Sequence, residues 1–171
     1  MSSPFVFNCA AVLSGSGMPQ HITQTGPSPE RIGLPMIAID SGSEVTVDAT
    51  LTSLGSGIMV DAIVSAELSG QCSRCLAELH PMQEFHIHEV FSASDSFIQG
   101  AEADDDEDVP SVVDDQIDIL QSVVDVAGLE LPFNPVCDGD CAESDVPAPD
   151  GIAGEEDNLP DPRWAGLEKF L

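Results

Sequence analysis

The chain has 171 residues and carries 31 Asp and Glu against four Lys and Arg, a formal net charge of -27. Such a polyanion is not built to hold bare RNA or DNA, because that affinity comes from Lys and Arg displacing counterions at phosphate, and the cations here do not make one basic stripe. The length permits one domain with a modest core, no run approaches the roughly 20 apolar residues of a membrane span, and the start Met1-Ser2-Ser3-Pro4-Phe5 lacks a secretory leader's basic and then apolar pattern, so a cytoplasmic location is expected.

Residues 5–13 and 35–39 can add edge strands, and the Gly, Ser and Pro content between Ser14 and Pro29 reads as loop. From Glu44 to Thr52, Val45, Val47, Ala49 and Leu51 alternate with polar residues, the period of a strand with one wet face. Leu54-Gly55-Ser56-Gly57 supplies turn chemistry, and Ile58, Val60, Ala62, Val64, Ala66 and Leu68 continue the alternation, which predicts a hairpin. Another turn contains Cys72 and Cys75. Residues 82–91 then form a third strand, with Phe85 and Ile87 facing opposite to His86 and His88.

Six of the seven residues between Glu102 and Asp108 are acidic, a run that repels itself and reads as linker. Beyond it Ile117, Leu120, Val123, Val124 and Ala127 make one apolar stripe, which predicts a helix with Asp115 or Asp118 as N-cap. Gly128 weakens or ends it, and Pro132 and Pro135 lead the chain extended into Cys137. Residues 142–160 are acidic and rich in Pro and Gly, and disorder is expected there. Asp161 and Pro162 open a last short helix, whose Trp164, Leu167 and Phe170 form an apolar edge that either docks on the sheet or, with Arg163, anchors a partner.

Five cysteines in a reducing compartment argue for metal ligation or plain thiols over a disulfide framework. Cys72-Ser-Arg-Cys75 and Cys137-Asp-Gly-Asp-Cys141 are two closely spaced pairs that together offer zinc four soft ligands, with Arg74 offsetting part of the thiolate charge. The other reading is four unligated thiols. Cys9 has no partner at useful spacing and reads as a small buried hydrophobe. A redox role for Cys72 and Cys75 lacks the helix N-terminus that lowers a thiol pKa in disulfide exchange. His86 and His88 share a strand face but read as its wet side, and His21 and His80 are assigned to loops. No nucleophile motif, phosphate loop or His-Glu-x-x-His is present.

The two cysteine pairs and the closing Asp161-Pro162-Arg163-Trp164-Ala165-Gly166-Leu167 together resemble the YceD family of large ribosomal RNA subunit accumulation proteins, over roughly residues 43 to 171. The resemblance implies a role in accumulation of large-subunit ribosomal RNA. It also points to a first partner, because the gene in this family commonly neighbours that of a small zinc-ribbon ribosomal protein.

Together these readings predict an α+β protein, one antiparallel sheet with one packed amphipathic helix and a short C-terminal helix after an acidic disordered segment. Its parts are a β-rich region at 1–100, an acidic linker at 101–112, the helix and second cysteine pair at 113–141, an acidic segment at 142–160 and the C-terminal signature at 161–171. No catalytic residues are assigned. The metal candidates are Cys72, Cys75, Cys137 and Cys141, and the partner-binding candidates are Arg163, Trp164, Leu167 and Phe170. The expected partner is a basic large-subunit ribosomal protein or the pre-ribosome, without direct RNA, DNA or membrane binding. The rival functions are a zinc-dependent RNA-processing enzyme and an interaction adaptor unrelated to ribosomes.

Overall fold

The structure is a computed structural model that describes residues 3–15, 18–93, 110–138 and Cys141. In chain order its elements are β1 (Val6–Asn8), α1 (Ala10–Ser14), β2 (Gln20–Pro27), β3 (Ile32–Leu34), β4 (Ile37–Ile39), β5 (Glu44–Ser53), β6 (Gly57–Glu67), β7 (Ser69–Gln71), β8 (Glu78–Leu79), β9 (Met82–Ser92), β10 (Gln116–Asp118) and α2 (Leu120–Glu130). The acidic run at 102–108, the segment at 142–160 and the C-terminal signature lie outside the described residues.

The predicted hairpin is the centre of the fold. β5 and β6 pair antiparallel with Val47 opposite Val64 and Leu51 opposite Val60, so the apolar residues of both strands fall on one face. Val45, Val47, Ala49, Leu51, Ile58, Val60 and Val64 are all fully buried. β9 pairs with β6 along its whole length, from Glu67 opposite Met82 to Gly57 opposite Ser92, and adds Phe85, Ile87 and Phe91 to the same face. Alternation at period two is sufficient here because one face is covered and the other wet.

The expectation of an α+β fold with a single sheet is corrected by this arrangement. The described residues are mostly β, 50% strand and 13% helical, with three sheets and two short helices among them. A four-stranded sheet runs β2-β5-β6-β9, a second runs β3-β4-β7-β8, and β1 pairs with β10. Three local misreadings account for the difference. Residues 20–27, read as loop for their Gly and Pro content, form β2 at the edge of the main sheet, where a terminal Pro27 costs no ladder bond and the alternation of Ile22, Gln24 and Gly26 with His21, Thr23 and Thr25 supplies the pleat. Residues 10–13, read as strand, form most of α1, because the chain turns after Cys9, whose N–H donates to the Asp115 carbonyl at 2.8 Å. Ile117, counted with the helical stripe, belongs to β10 opposite Phe7.

α2 starts at Leu120, whose N–H donates to the Asp118 carboxylate at 2.9 Å, and it runs through Gly128 to Glu130. An added Cβ at Gly128 would meet nothing within 4 Å, so the glycine sits on the open side and does not end the helix. Val123 and Ala127 face inward, and α2 packs against β3 and β9. One hydrophobic cluster joins Phe5 and Phe7, the inner face of the main sheet, Ile32, Ile37 and Ile39 of the second sheet, Ile117, and the inner side of α2. The cluster does not include the thiols of Cys72, Cys75, Cys137 and Cys141.

Candidate metal centre

β6 leaves the main sheet at Leu68, whose N–H donates to the Pro81 carbonyl at 2.9 Å across the neck of an excursion into the second sheet. There β7 and β8 pair with Gly70 opposite Leu79 and Gln71 opposite Glu78, leaving residues 72–77 as the tip. The tip is a tight knuckle. The Cys72 N–H donates to the Ala77 carbonyl at 2.8 Å, the Leu76 N–H donates to the Cys72 carbonyl at 2.9 Å, and Leu76 turns the chain with a left-handed φ of 60°. That conformation costs a residue with a Cβ about 1–2 kcal/mol, and it turns the chain after Cys75 back into β8.

The second pair arrives on the extended chain after α2. Pro135 is buried and its carbonyl accepts the Ser73 N–H at 2.8 Å, which lays this segment along the knuckle and sets Cys137 against Cys72. Sequence reasoning took Pro132 and Pro135 as ending the helix and leading the chain extended into Cys137. What it did not contain is the docking of that approach on the knuckle through the Ser73 N–H and the Pro135 carbonyl, a long-range contact.

The four thiols of Cys72, Cys75, Cys137 and Cys141 converge, with all sulfurs within 4.8 Å of one another. Cys72 and Cys137 stand 3.7 Å apart, Cys72 and Cys141 3.9 Å, Cys75 and Cys137 3.9 Å, and Cys137 and Cys141 3.6 Å. A sulfur pair in a disulfide is about 2.05 Å apart. Sulfurs bound at about 2.3 Å around a tetrahedral zinc are instead separated by about 3.8 Å. The observed spacings match the tetrahedral edge, and the donor set is all sulfur, the chemistry that zinc and iron–sulfur centres take.

The protonation balance is that of a metal site. The N–H groups of Cys75, Cys137 and Arg74 converge on the Cys72 sulfur and hold its thiol down at about 5. The neighbouring thiols of Cys141 and Cys72, with burial behind them, push Cys137 up to about 12. At Cys141, Cys137 favours the thiolate, but burial and the thiols of Cys75 and Cys72 outweigh it and leave the group raised, with the Arg74 guanidinium pulling the other way. Cys72 is therefore ready as a thiolate at neutral pH, whereas ionisation of Cys137 and Cys141 needs a cation in the middle.

Among the described residues no other group of three or more His, Cys, Asp or Glu donors converges. Cys9 is fully buried at the start of α1, with its thiol raised by burial and by Asp115. His86 and His88 lie on the wet face of β9 as expected. His21, assigned to a loop, sits on β2 and pairs with Asp48, and His88 pairs with Asp61 across the strands. Arg163, Trp164, Leu167 and Phe170 lie outside the described residues. No described helix is long and apolar enough to cross a membrane.

Comparison with known proteins adds the context. An uncharacterized protein of Mycobacterium tuberculosis is 34% identical over 175 residues, covering 100% of this chain and 83% of the relative. One from Mycobacterium leprae is 30% identical over 172 residues, 99% of this chain and 78% of the relative. Bacillus subtilis YlbN, also described as uncharacterized, is 31% identical over 119 residues, 67% of this chain and 66% of the relative. No solved structure matches. The profile of YceD, described as large ribosomal RNA subunit accumulation protein, matches residues 60–171, which takes in the knuckle, β9, α2 and the second cysteine pair, and the chain belongs to that family.

Proposed function

We propose that this protein is a non-enzymatic factor, stabilised at one end by a zinc ion on Cys72, Cys75, Cys137 and Cys141, that promotes accumulation of large-subunit ribosomal RNA by binding a basic large-subunit ribosomal protein. The observation that carries the reading is the charge of -27 in a member of a ribosomal RNA accumulation family. Among the described residues only Arg31 and Arg74 are Lys or Arg. A surface of this sign repels phosphate and attracts cationic protein, and complementary fields both speed encounter and discourage wrong partners. The first partner to try is the small zinc-ribbon ribosomal protein suggested by the family's gene neighbourhood.

Zinc fits the site because four of the sulfur pairs stand 3.6–3.9 Å apart, close to a tetrahedral edge, and the four sulfurs supply a closed coordination shell. A closed shell leaves no position for substrate or water, which favours a structural role over a zinc-dependent RNA-processing activity. A cytoplasmic location, where thiols stay reduced, goes with this reading.

The test is a binding measurement between the full-length protein and the purified basic protein at low and high salt, together with ribosome sedimentation of a deletion strain. The expected result is an affinity that falls steeply with ionic strength and a deficit of large subunits. Affinity indifferent to salt, or normal large subunits in the deletion strain, contradicts the proposal.

A further inference from the structure

Beside the thiol cluster lies an open groove of about 500 Å³, within the roughly 300–1,000 Å³ range of clefts that take a ligand group. Its floor is Ile37, Leu68 and Leu131, all buried and all part of the core, so it is backed by rigid packing. One wall is the β7–β8 hairpin, through Leu79. The other is the segment after α2, through Pro135 and Val136, and Val136 is 49% exposed. Cys137 lines it as well. The two walls are the same two stretches that contribute the cysteine pairs, so an ion held by the four sulfurs fixes the width of the groove.

The rim has one sign. Glu78 and Asp138 line it, and Glu67 stands behind His80, 3.6 Å from its ring, while His80 also lies 3.8 Å from Glu78. Four thiolates on a divalent ion add further negative charge, against Arg74 alone. An apolar floor with an acidic rim fits a peptide that carries an apolar side chain between cations, and it disfavours an acidic or phosphorylated one. It also gives a contact that net charge alone does not, because apolar burial supplies affinity that salt does not screen.

We propose that this groove is the docking site for a Lys- or Arg-rich segment of a partner protein, with one apolar side chain seated over Leu68 and Leu131 and flanking cations on Glu78 and Asp138. The inference rests on the reading of the protein as a receiver of a basic partner, and it names the place where that partner is held.

Two fluorescein-labelled peptides of Lys and Ser, identical except for a central Leu or Ser, test it by anisotropy with the full-length, zinc-loaded protein. The Leu peptide is expected to bind about 10-fold or more tighter than the Ser peptide, the gain from burying one Leu side chain. Val136→Asp and Leu79→Asp both make the protein more acidic, so capture by charge alone predicts equal or tighter binding. The groove predicts about a 10-fold loss for the Leu peptide and none for the Ser peptide. Val136 is half exposed, so Val136→Asp keeps the test valid if Leu79→Asp fails to fold, with zinc content as the check on both. Equal binding of the two peptides with steep salt dependence overturns the groove while leaving capture of basic protein intact, and no binding of either overturns both. Leu-peptide binding that appears only in Trp164→Ser protein assigns the groove to the chain's own C-terminal segment and overturns the proposal. A dimer that Val136→Asp dissociates, with no peptide bound, assigns it to a second copy and also overturns it.

Discussion

Chelation of the metal is expected to release residues 132–137 from the hairpin tip while the four-stranded sheet stays folded. The structure sets the scale. Without an ion, that segment is held to the knuckle by the bond from the Ser73 N–H to the Pro135 carbonyl, by the bond from the Cys137 N–H to the Cys72 sulfur at 3.4 Å and by burial of Pro135. A hydrogen bond contributes about 1 kcal/mol, and partial burial of one apolar residue adds about 1–2 kcal/mol. An opening free energy of about 3–4 kcal/mol from the two bonds and the burial protects an amide roughly 100- to 1,000-fold. Free zinc at 1,000 times its Kd adds about 4.1 kcal/mol, which slows exchange by a further factor of about 1,000. Hydrogen exchange read at the Ser73 amide, with and without a zinc chelator, should show that thousandfold change, while the amides of β5 and β6 change little because their core does not include the thiols. A Ser73 amide that exchanges equally fast in both conditions, or loss of protection throughout β5 and β6 on chelation, refutes the reasoning.

Zinc affinity should rise with pH. Cys137, at about 12, and Cys141, also raised, are protonated in the metal-free protein at neutral pH, so binding displaces at least these protons. With at least two protons released, affinity increases at least roughly 100-fold per pH unit between pH 6 and 8, measurable by competition with a chelator of known affinity, and a flat profile contradicts the assignment. Leu76→Gly should stabilise the protein, because Leu76 is 67% exposed and held at a φ of 60°. Relief of about 1–2 kcal/mol of strain against about 0.4–1 kcal/mol of added unfolded-state entropy leaves a gain near 0.5–1 kcal/mol, read as a higher urea midpoint. Gly33→Ala should destabilise by about 2–5 kcal/mol, combining a strained backbone with an overpacked contact. Its added Cβ would lie 2.8 Å from the Ala38 Cα and 2.9 Å from the Leu131 side chain at a φ of +133°, and an unchanged denaturation midpoint contradicts this packing.

The sheet's centre was legible because β5, β6 and β9 each alternate cleanly, and a strand with one buried face must do so. The strands at the margins were not. β2 is an edge strand of only partly buried and exposed residues, so its composition resembles a loop and its identity depends on pairing with β5. β1 and β10 are three residues each and exist because Phe7 and Ile117 meet in the core, a long-range fact that no local window contains. The cysteine set was legible from spacing alone. What spacing could not supply is that Cys72 is fully buried while its three partners are partly exposed, or that Leu76 and Pro135 hold the two arms in place. The groove between those arms is tertiary in the same sense, with Ile37, Leu68 and Leu131 brought together from three separate stretches.

The central claim is that Cys72, Cys75, Cys137 and Cys141 share one metal ion. X-ray absorption at the zinc edge, on full-length protein purified without chelator and with its zinc counted by native mass spectrometry, tests it most directly. One zinc per chain with a shell of four sulfurs at about 2.3 Å is the predicted result. Metal-free protein with four titratable thiols, or a zinc shell that contains nitrogen or oxygen and survives Cys137→Ser, would contradict it.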